Sequence, residues 1–169
     1  MQENQKPPVA TLSFVQRYKP LLVIIATVTF SAIALSLVDG RTHRFMESFM
    51  GLFFVNFAMF KLIDFKSFAD GFSMYDLIAK RSRQYALAFP FFELGLGLLY
   101  LMAFSPVITN SLTLFLMLIS GAGVIKAIVT GDEHLQCACL GTSLNVPLST
   151  VSIIENFGMA GMAAFMLRY

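Results

Sequence analysis

The stretch "LLVIIATVTFSAIALSLV", residues Leu21–Val38, contains eighteen consecutive residues without a charge. At about 1.5 Å of rise per residue, a helix of this length spans about 27 Å, close to the roughly 30 Å hydrocarbon core of a bilayer. Arg17 and Lys19 precede it, as in a signal peptide, but the apolar run is longer than the core of such a peptide. We therefore interpret Leu21–Val38 as a retained membrane helix.

The composition of the whole chain agrees with this first segment. Of the 169 residues, 57% are hydrophobic and 13% are charged, with 18 phenylalanines and no tryptophan. An ordinary soluble domain has about a quarter of its residues charged. The net charge of +2 is small and argues against a nucleic-acid partner, which requires a concentrated basic face. The composition predicts an all-α integral membrane bundle with the lipid bilayer as part of its solvent.

Four further apolar segments follow Leu21–Val38, and each is long enough to predict a membrane helix. They cover about residues 45–63, 85–104, 112–129 and 148–167. Residues 1–19 are polar and contain proline, which predicts a cytoplasmic tail. Residues 20–169 then form a single transmembrane helical domain.

The basic residues between these segments predict the orientation of the chain. A cytoplasmic N-terminus places seven of them inside and three outside, which the positive-inside rule favours. The inside set is Lys6, Arg17, Lys19, Lys66, Lys80, Arg81 and Arg83, and the outside set is Arg41, Arg44 and Arg168. We therefore predict a multi-pass protein of the inner membrane, with the loop Gly131–Ser149 on the cytoplasmic side.

Several polar side chains lie within the predicted membrane helices. Lys61, Glu93, Lys126 and Glu155 all fall in the half of the membrane that borders the loop Gly131–Ser149. Buried membrane charges usually pair inside the bundle, so we predict the pairs Lys61–Glu93 and Lys126–Glu155. Either lysine could instead extend to the interface, and the charges could serve structure or line a polar cavity. Asn56 is predicted to form an interhelical hydrogen bond.

The loop "GDEHLQCACLGTSLNVPLS" holds the only two cysteines, Cys137 and Cys139, together with His134. A disulfide between residues two apart closes a small strained ring that is easily reduced, which suits thiol–disulfide exchange. Two thiolates also suit a soft ion such as Cu(I) or Hg(II), with His134 as a further ligand. A buried, inert role is the third reading of the two thiols.

Methionines at helical spacing bear on the metal alternative. Met159, Met162 and Met166 share one face of the last helix, and Met46 and Met50 share a face of the second. Such stripes usually pack in cores, although thioethers also suit a Cu(I) pathway.

The motifs of nucleotide-binding loops, zinc proteases and serine hydrolases are absent from the sequence. A redox partner therefore fits the chain better than a stand-alone enzyme.

Two runs of sequence resemble known membrane proteins. The run Gly51–Leu99 resembles the front half of the DoxX-like proteins, in which a helix ending in lysine leads to an aromatic loop and then to a helix with proline and glutamate. The matching positions are Lys61, Phe68, Phe72, Tyr75, Pro90 and Glu93. The run Cys137–Asn156 is similar to the cysteine loop and helix of the MauE branch. The resemblance covers roughly residues 45–167 and implies a four-helix core, with the first helix as an addition.

The resemblance also implies a function. The MauE branch is associated with maturation of methylamine dehydrogenase, whose small subunit is rich in disulfides. It implies that Cys137 and Cys139 exchange disulfides with a thiol-containing protein partner. The chemistry of a Met-rich bundle with a CxC pair also resembles that of importers that pass Cu(I) or Hg(II) to a soluble carrier. A membrane scaffold without thiol chemistry is a third reading.

Overall fold

A computed structural model describes residues 14–40, 42–130 and 148–168, and the regular structure within these ranges is entirely helical. The six helices are α1 (Phe14–Asp39), α2 (Thr42–Ile63), α3 (Phe65–Tyr75), α4 (Arg83–Leu101), α5 (Pro106–Val129) and α6 (Leu148–Arg168). The predicted all-α bundle is therefore confirmed. Five of these helices correspond to the five predicted segments, and α3 is an additional one.

Four of the helices are long and apolar enough to cross a membrane. Their spans are Leu21–Val38, Arg44–Ile63, Arg83–Leu101 and Pro106–Val129. The 21 residues of α6 extend about 32 Å and pack along α5. Large apolar side chains point out of the bundle, among them Phe30 and Phe115. Because water would penalise so much exposed apolar surface, the chain is a multi-pass membrane protein.

The start of α5 differs from the prediction by more than a turn. The helix begins at Pro106, a residue favoured in the first helical turn, rather than near residue 112. The predicted segment did not include the polar residues Thr109 and Asn110, which belong to the helix and are both buried. Asn110 accepts a hydrogen bond of 2.7 Å from the Tyr100 hydroxyl, which joins the start of α5 to the end of α4.

The start of α1 also lies outside the predicted span. This helix begins at Phe14, so residues 14–19 of the predicted polar tail belong to it. The apolar span itself is still Leu21–Val38, as the sequence indicated. The added turns therefore extend the membrane helix beyond its apolar span, where Lys19 is exposed.

The short helix α3 lies where the sequence indicated a loop. Phe68, Ala69, Phe72 and Tyr75 are buried at positions that share one face of a helix. The polar residues Lys66, Ser67 and Asp70 are exposed on the other side of α3. The buried face packs against α4 and α5. Eleven residues are too few to cross a bilayer, and α3 instead covers one end of the bundle.

A pair of glycines allows α2 and α4 to pack closely. A Cβ atom added at Gly97 would lie 2.9 Å from Val55 Cγ2 and 3.0 Å from the Gly51 carbonyl oxygen. A Cβ atom at Gly51 would in turn lie 3.0 Å from the Gly97 carbonyl oxygen. Small residues permit such backbone approach in membrane bundles. This contact sets the distance between the two helices that carry Lys61 and Glu93.

We expect Gly97→Ala to destabilise the bundle by about 1–3 kcal/mol, because the added methyl group meets backbone atoms that cannot move aside. Gly95→Ala is the matched control, since a Cβ atom at Gly95 meets nothing within 4 Å. Thermal unfolding of the purified proteins in detergent would measure the difference. Equal unfolding temperatures for the two variants would show that α2 and α4 are not held at this distance.

Candidate functional site

The centre of the site is the ammonium group of Lys61, in the last turn of α2. Lys61 donates to both carboxylate oxygens of Glu93 on α4, at 2.5 and 2.7 Å. Each of the two side chains is 1% exposed. The pair Lys61–Glu93 predicted from the sequence is therefore confirmed, and it joins α2 to α4 inside the bundle.

The same ammonium also binds a carboxylate from α6. Lys61 donates to Glu155 Oε1 at 2.5 Å, and the Glu155 side chain is 2% exposed. The predicted pair Lys126–Glu155 is wrong, because Glu155 points to Lys61 and Lys126 is exposed on α5. Both lysines lie near the same end of the bundle, but Lys61 faces the core and Lys126 faces away from it. We call Lys61, Glu93 and Glu155 the Lys61 cluster.

Aromatic side chains enclose the Lys61 cluster. The ammonium lies 5.6 Å from the ring centre of Phe68 on α3 and 5.3 Å from that of Phe89 on α4. Both distances fit cation–π attraction, which is strongest where water is excluded. Because Phe68 belongs to the helix that follows α2, α3 covers the lysine and prevents it from extending to the interface. The alternative in which Lys61 reaches water is therefore wrong for this residue.

The residues around the cluster include most of the positions that resemble the DoxX-like pattern. A small internal cavity of about 10 Å³ lies beside the cluster, which is at the lower limit for one water molecule. It is lined by Lys61, Phe68, Phe72, Tyr75, Phe89, Glu93, Ser120, Glu155 and Asn156. The sequence indicated Phe68, Phe72 and Tyr75 but gave no sign that Phe89 and Ser120 complete the walls.

Two more polar groups, the Asp76 carboxyl and the Tyr85 hydroxyl, lie near the cluster, and neither was predicted from the sequence. Asp76 follows α3 and is fully buried, with its Oδ1 atom accepting 2.9 Å hydrogen bonds from the backbone N–H groups of Ile78 and Ala79. Burial raises the pKa of the Asp76 carboxyl, although these two hydrogen bonds oppose the rise. Asp76 Oδ2 and the Tyr85 hydroxyl are buried without a hydrogen-bond partner among the described residues. The available signal in the sequence was an acidic residue, Asp76, directly after a run of regularly spaced aromatic residues.

Two further predictions concern polar and sulfur-bearing residues inside the bundle. Asn56 Nδ2 donates to the Leu52 carbonyl oxygen of its own helix at 2.8 Å, so the predicted interhelical hydrogen bond is replaced by one within α2. The predicted methionine faces occupy interior positions to different degrees. Met50, Met159 and Met166 are buried, and Met46 and Met162 are half-buried. Their burial within the hydrophobic core fits core packing.

The two cysteines and His134 lie outside the described residues. Their segment, 131–147, joins α5 to α6. Within the described ranges, no group of three or more histidine, cysteine, aspartate and glutamate residues could hold a metal ion. The predicted roles of Cys137, Cys139 and His134 in exchange or metal binding therefore stay predictions.

We expect Lys61→Met to reduce the free energy of unfolding by about 3–5 kcal/mol, because it leaves two buried carboxyl groups without their cation. Lys126→Met is the matched control and should change stability by less than about 0.5 kcal/mol, since Lys126 is exposed. Combining Lys61→Met with Glu93→Gln and Glu155→Gln should recover part of the loss. Thermal unfolding in detergent would measure all four proteins, and equal losses for the two lysine variants would contradict the buried cluster.

Comparison with known proteins agrees with the resemblance seen in the sequence. The family model described as "Methylamine utilisation protein MauE" matches residues 32–169. The match begins within α1, so the end of that helix belongs to the family region and is not wholly an addition to it. No curated protein and no solved structure matches the chain. Because the family model covers most of the 169 residues, the chain belongs to the MauE family of DoxX-like membrane proteins.

Proposed function

We propose that this protein matures a partner protein by thiol–disulfide exchange at Cys137 and Cys139. The observation that carries the proposal is that both sulfhydryl groups of the chain lie in the connection between α5 and α6. The matched family region includes this connection. Two thiols this close can form a strained, easily reduced disulfide, which is the property that an exchange centre requires.

The Lys61 cluster supports the proposal by fixing the helix that follows the cysteines. Glu155 lies seven residues after Leu148, the first residue of α6, which is about 10 Å along the helix. Its ion pair with Lys61 attaches this part of α6 to α2. The helix that follows the cysteine-bearing segment is therefore attached to the rest of the bundle near its start.

The exchange step balances without a further reactant. A partner dithiol attacks the Cys137–Cys139 disulfide and forms a mixed disulfide with one of the two cysteines. The second partner thiol then displaces that cysteine, so the partner gains a disulfide and this chain becomes a dithiol. Two electrons and two protons pass from the partner to this chain, and the reverse reaction reduces the partner.

We expect Cys139→Ser or Cys137→Ser to trap a mixed disulfide, because the remaining thiolate attacks the disulfide of the oxidised partner and this chain has no second thiol to complete the reduction. Acid quenching, alkylation and non-reducing electrophoresis of native membranes would reveal an adduct that a reductant releases. Mass spectrometry should join the remaining cysteine to a partner cysteine that is disulfide-bonded in the mature partner. The variant with both serines is the control and should form no adduct and lower the disulfide content of that partner.

Two other results would contradict the exchange proposal. The first is that neither single variant forms an adduct and that the disulfide content of the partner is unchanged in the double variant. The two cysteines would then not carry out thiol–disulfide exchange. Binding of one Cu(I) or Hg(II) ion per chain, lost in both single variants and without any adduct, would instead favour the soft-metal alternative.

We further propose that the N-terminus and the segment with Cys137 and Cys139 face the cytoplasm across the inner membrane. The four spans that precede this segment return the chain to the side on which it began. The excess of basic residues on that side supports a cytoplasmic assignment.

We expect a membrane-impermeant maleimide to label the cysteines in inverted membrane vesicles and not in right-side-out vesicles. The variant with both serines would measure background labelling, because it contains no thiol. Labelling in right-side-out vesicles alone would reverse the orientation and place the exchange on the extracytoplasmic side.

A further inference from the structure

The charges of the Lys61 cluster do not balance when all three groups are ionised. One ammonium faces two carboxylates, and the three side chains are 1–2% exposed. Two ionised carboxylates would therefore leave one uncompensated negative charge inside the bundle. An uncompensated charge in a membrane interior is expensive, so this state is disfavoured.

Among the described residues, Lys61 is the one cation paired with Glu93 and Glu155. The titratable groups packed around it are Tyr75 at the end of α3, Asp76 in the following turn and Tyr85 on α4. None of these three carries a positive charge in any protonation state. The lysines Lys19 on α1 and Lys126 on α5 are exposed. The segment 131–147 contains no lysine or arginine and a single histidine.

The two carboxyl groups also interact with one another. Glu93 Oε1 and Glu155 Oε1 each lie 2.5 Å from the same Lys61 nitrogen, which brings the two carboxyl groups close together. Two ionised carboxylates have no hydrogen to donate, and at this distance they repel. A proton on either one provides the donor. Glu155 Oε2 is buried and has no hydrogen-bond partner among the described residues.

We propose that Lys61, Glu93 and Glu155 form a buried binding site for one proton. The two carboxyl groups share the proton while both hold the ammonium of Lys61, and the cluster is then electrically neutral. The site does not depend on the thiol exchange proposed above, because it consists entirely of groups inside the bundle.

On this proposal, Asp76 and Tyr85 are the groups through which the proton passes between the site and the end of the bundle. Tyr85 lies within electrostatic range of both Asp76 and Glu93. The Tyr85 hydroxyl and Asp76 Oδ2 each lack a partner among the described residues, so both can accept and pass on a hydrogen bond. Asp76 lies in the turn between α3 and α4, at the same end as the start of α6. The proton therefore exchanges on the side that also carries the cysteine segment.

Infrared spectroscopy of the full chain reconstituted in liposomes tests the site directly. At neutral pH we expect the carbonyl stretch of a protonated carboxyl group, shifted in D₂O. We expect Glu93→Gln and Glu155→Gln each to abolish this band, because the remaining glutamate then forms a neutral ion pair with Lys61. Raising the pH should abolish the band in the unsubstituted protein, and this titration needs no variant to fold.

Two controls separate the cluster from other carboxyl groups. Glu47→Gln should retain the band, because Glu47 is half-buried and pairs with the cation of Arg44 at 3.3 Å. Asp76→Asn removes any signal from Asp76 while its side chain still accepts the backbone hydrogen bonds. The band of the cluster should remain in this variant, with slower hydrogen–deuterium exchange than in the unsubstituted protein. Tyr85→Phe should slow that exchange in the same way.

The proposal is overturned if the band is absent once the contribution of Asp76 is removed. It is also overturned if the band persists unchanged in both Glu93→Gln and Glu155→Gln. Unchanged exchange rates in both Asp76→Asn and Tyr85→Phe would overturn the assigned path. None of these outcomes depends on whether the cysteines form mixed disulfides, so the proton site and the thiol exchange are tested independently.

Discussion

The structure depends on one lysine whose ammonium is shared by two carboxyl groups away from water. Lys61 on α2 binds Glu93 on α4 and Glu155 on α6, so three helices that are distant in sequence meet at one nitrogen. The loss of hydration costs several kcal/mol for each buried ion, and short contacts must recover that cost. This requires α2 and α4 to approach closely, which Gly51 and Gly97 permit. It also requires a cover over the lysine, which α3 supplies.

The lipid solvent explains why this polar centre can coexist with an apolar exterior. Helix association in a bilayer gains little from burying apolar surface, because lipid tails are as apolar as the side chains. Packing and interior polar contacts therefore have to specify the bundle. The ion pairs join α2, α4 and α6, while the hydrogen bond from Tyr100 to Asn110 joins α4 to α5 at the other end. The phenylalanines on the outer faces need no partner within the chain.

Part of this arrangement could be read from the sequence, and the part that could not has a physical explanation. Apolar length and the rise of a helix gave the membrane segments and the depth of each charge, and depth was enough to pair Lys61 with Glu93. Depth says nothing about the direction in which a side chain points around its helix. Glu155 was therefore assigned to Lys126, which lies at a similar depth but points outward.

The missed helix has a different cause. Apolar length identifies only segments that can span a bilayer, and α3 has only 11 residues. Its pattern is visible in hindsight, because Phe68, Phe72 and Tyr75 recur at intervals of three and four. These aromatic positions were noted only through the resemblance to DoxX-like proteins. The prediction for Asn56 failed because an asparagine in a helix can bond to its own backbone as readily as to a neighbour.

The composition of the Lys61 cluster also bears on why such a centre exists. Replacing a buried ion pair with well-packed apolar residues is often neutral or stabilising, so a buried cluster is weak support for a purely structural role. A bundle that needed only an interior polar contact between its helices would be served by one carboxylate for the one ammonium. The second carboxyl group adds repulsion that a single ion pair would avoid. The proposed proton site accounts for this second carboxyl group, and α6 carries Glu155 of that site and follows the segment with Cys137 and Cys139.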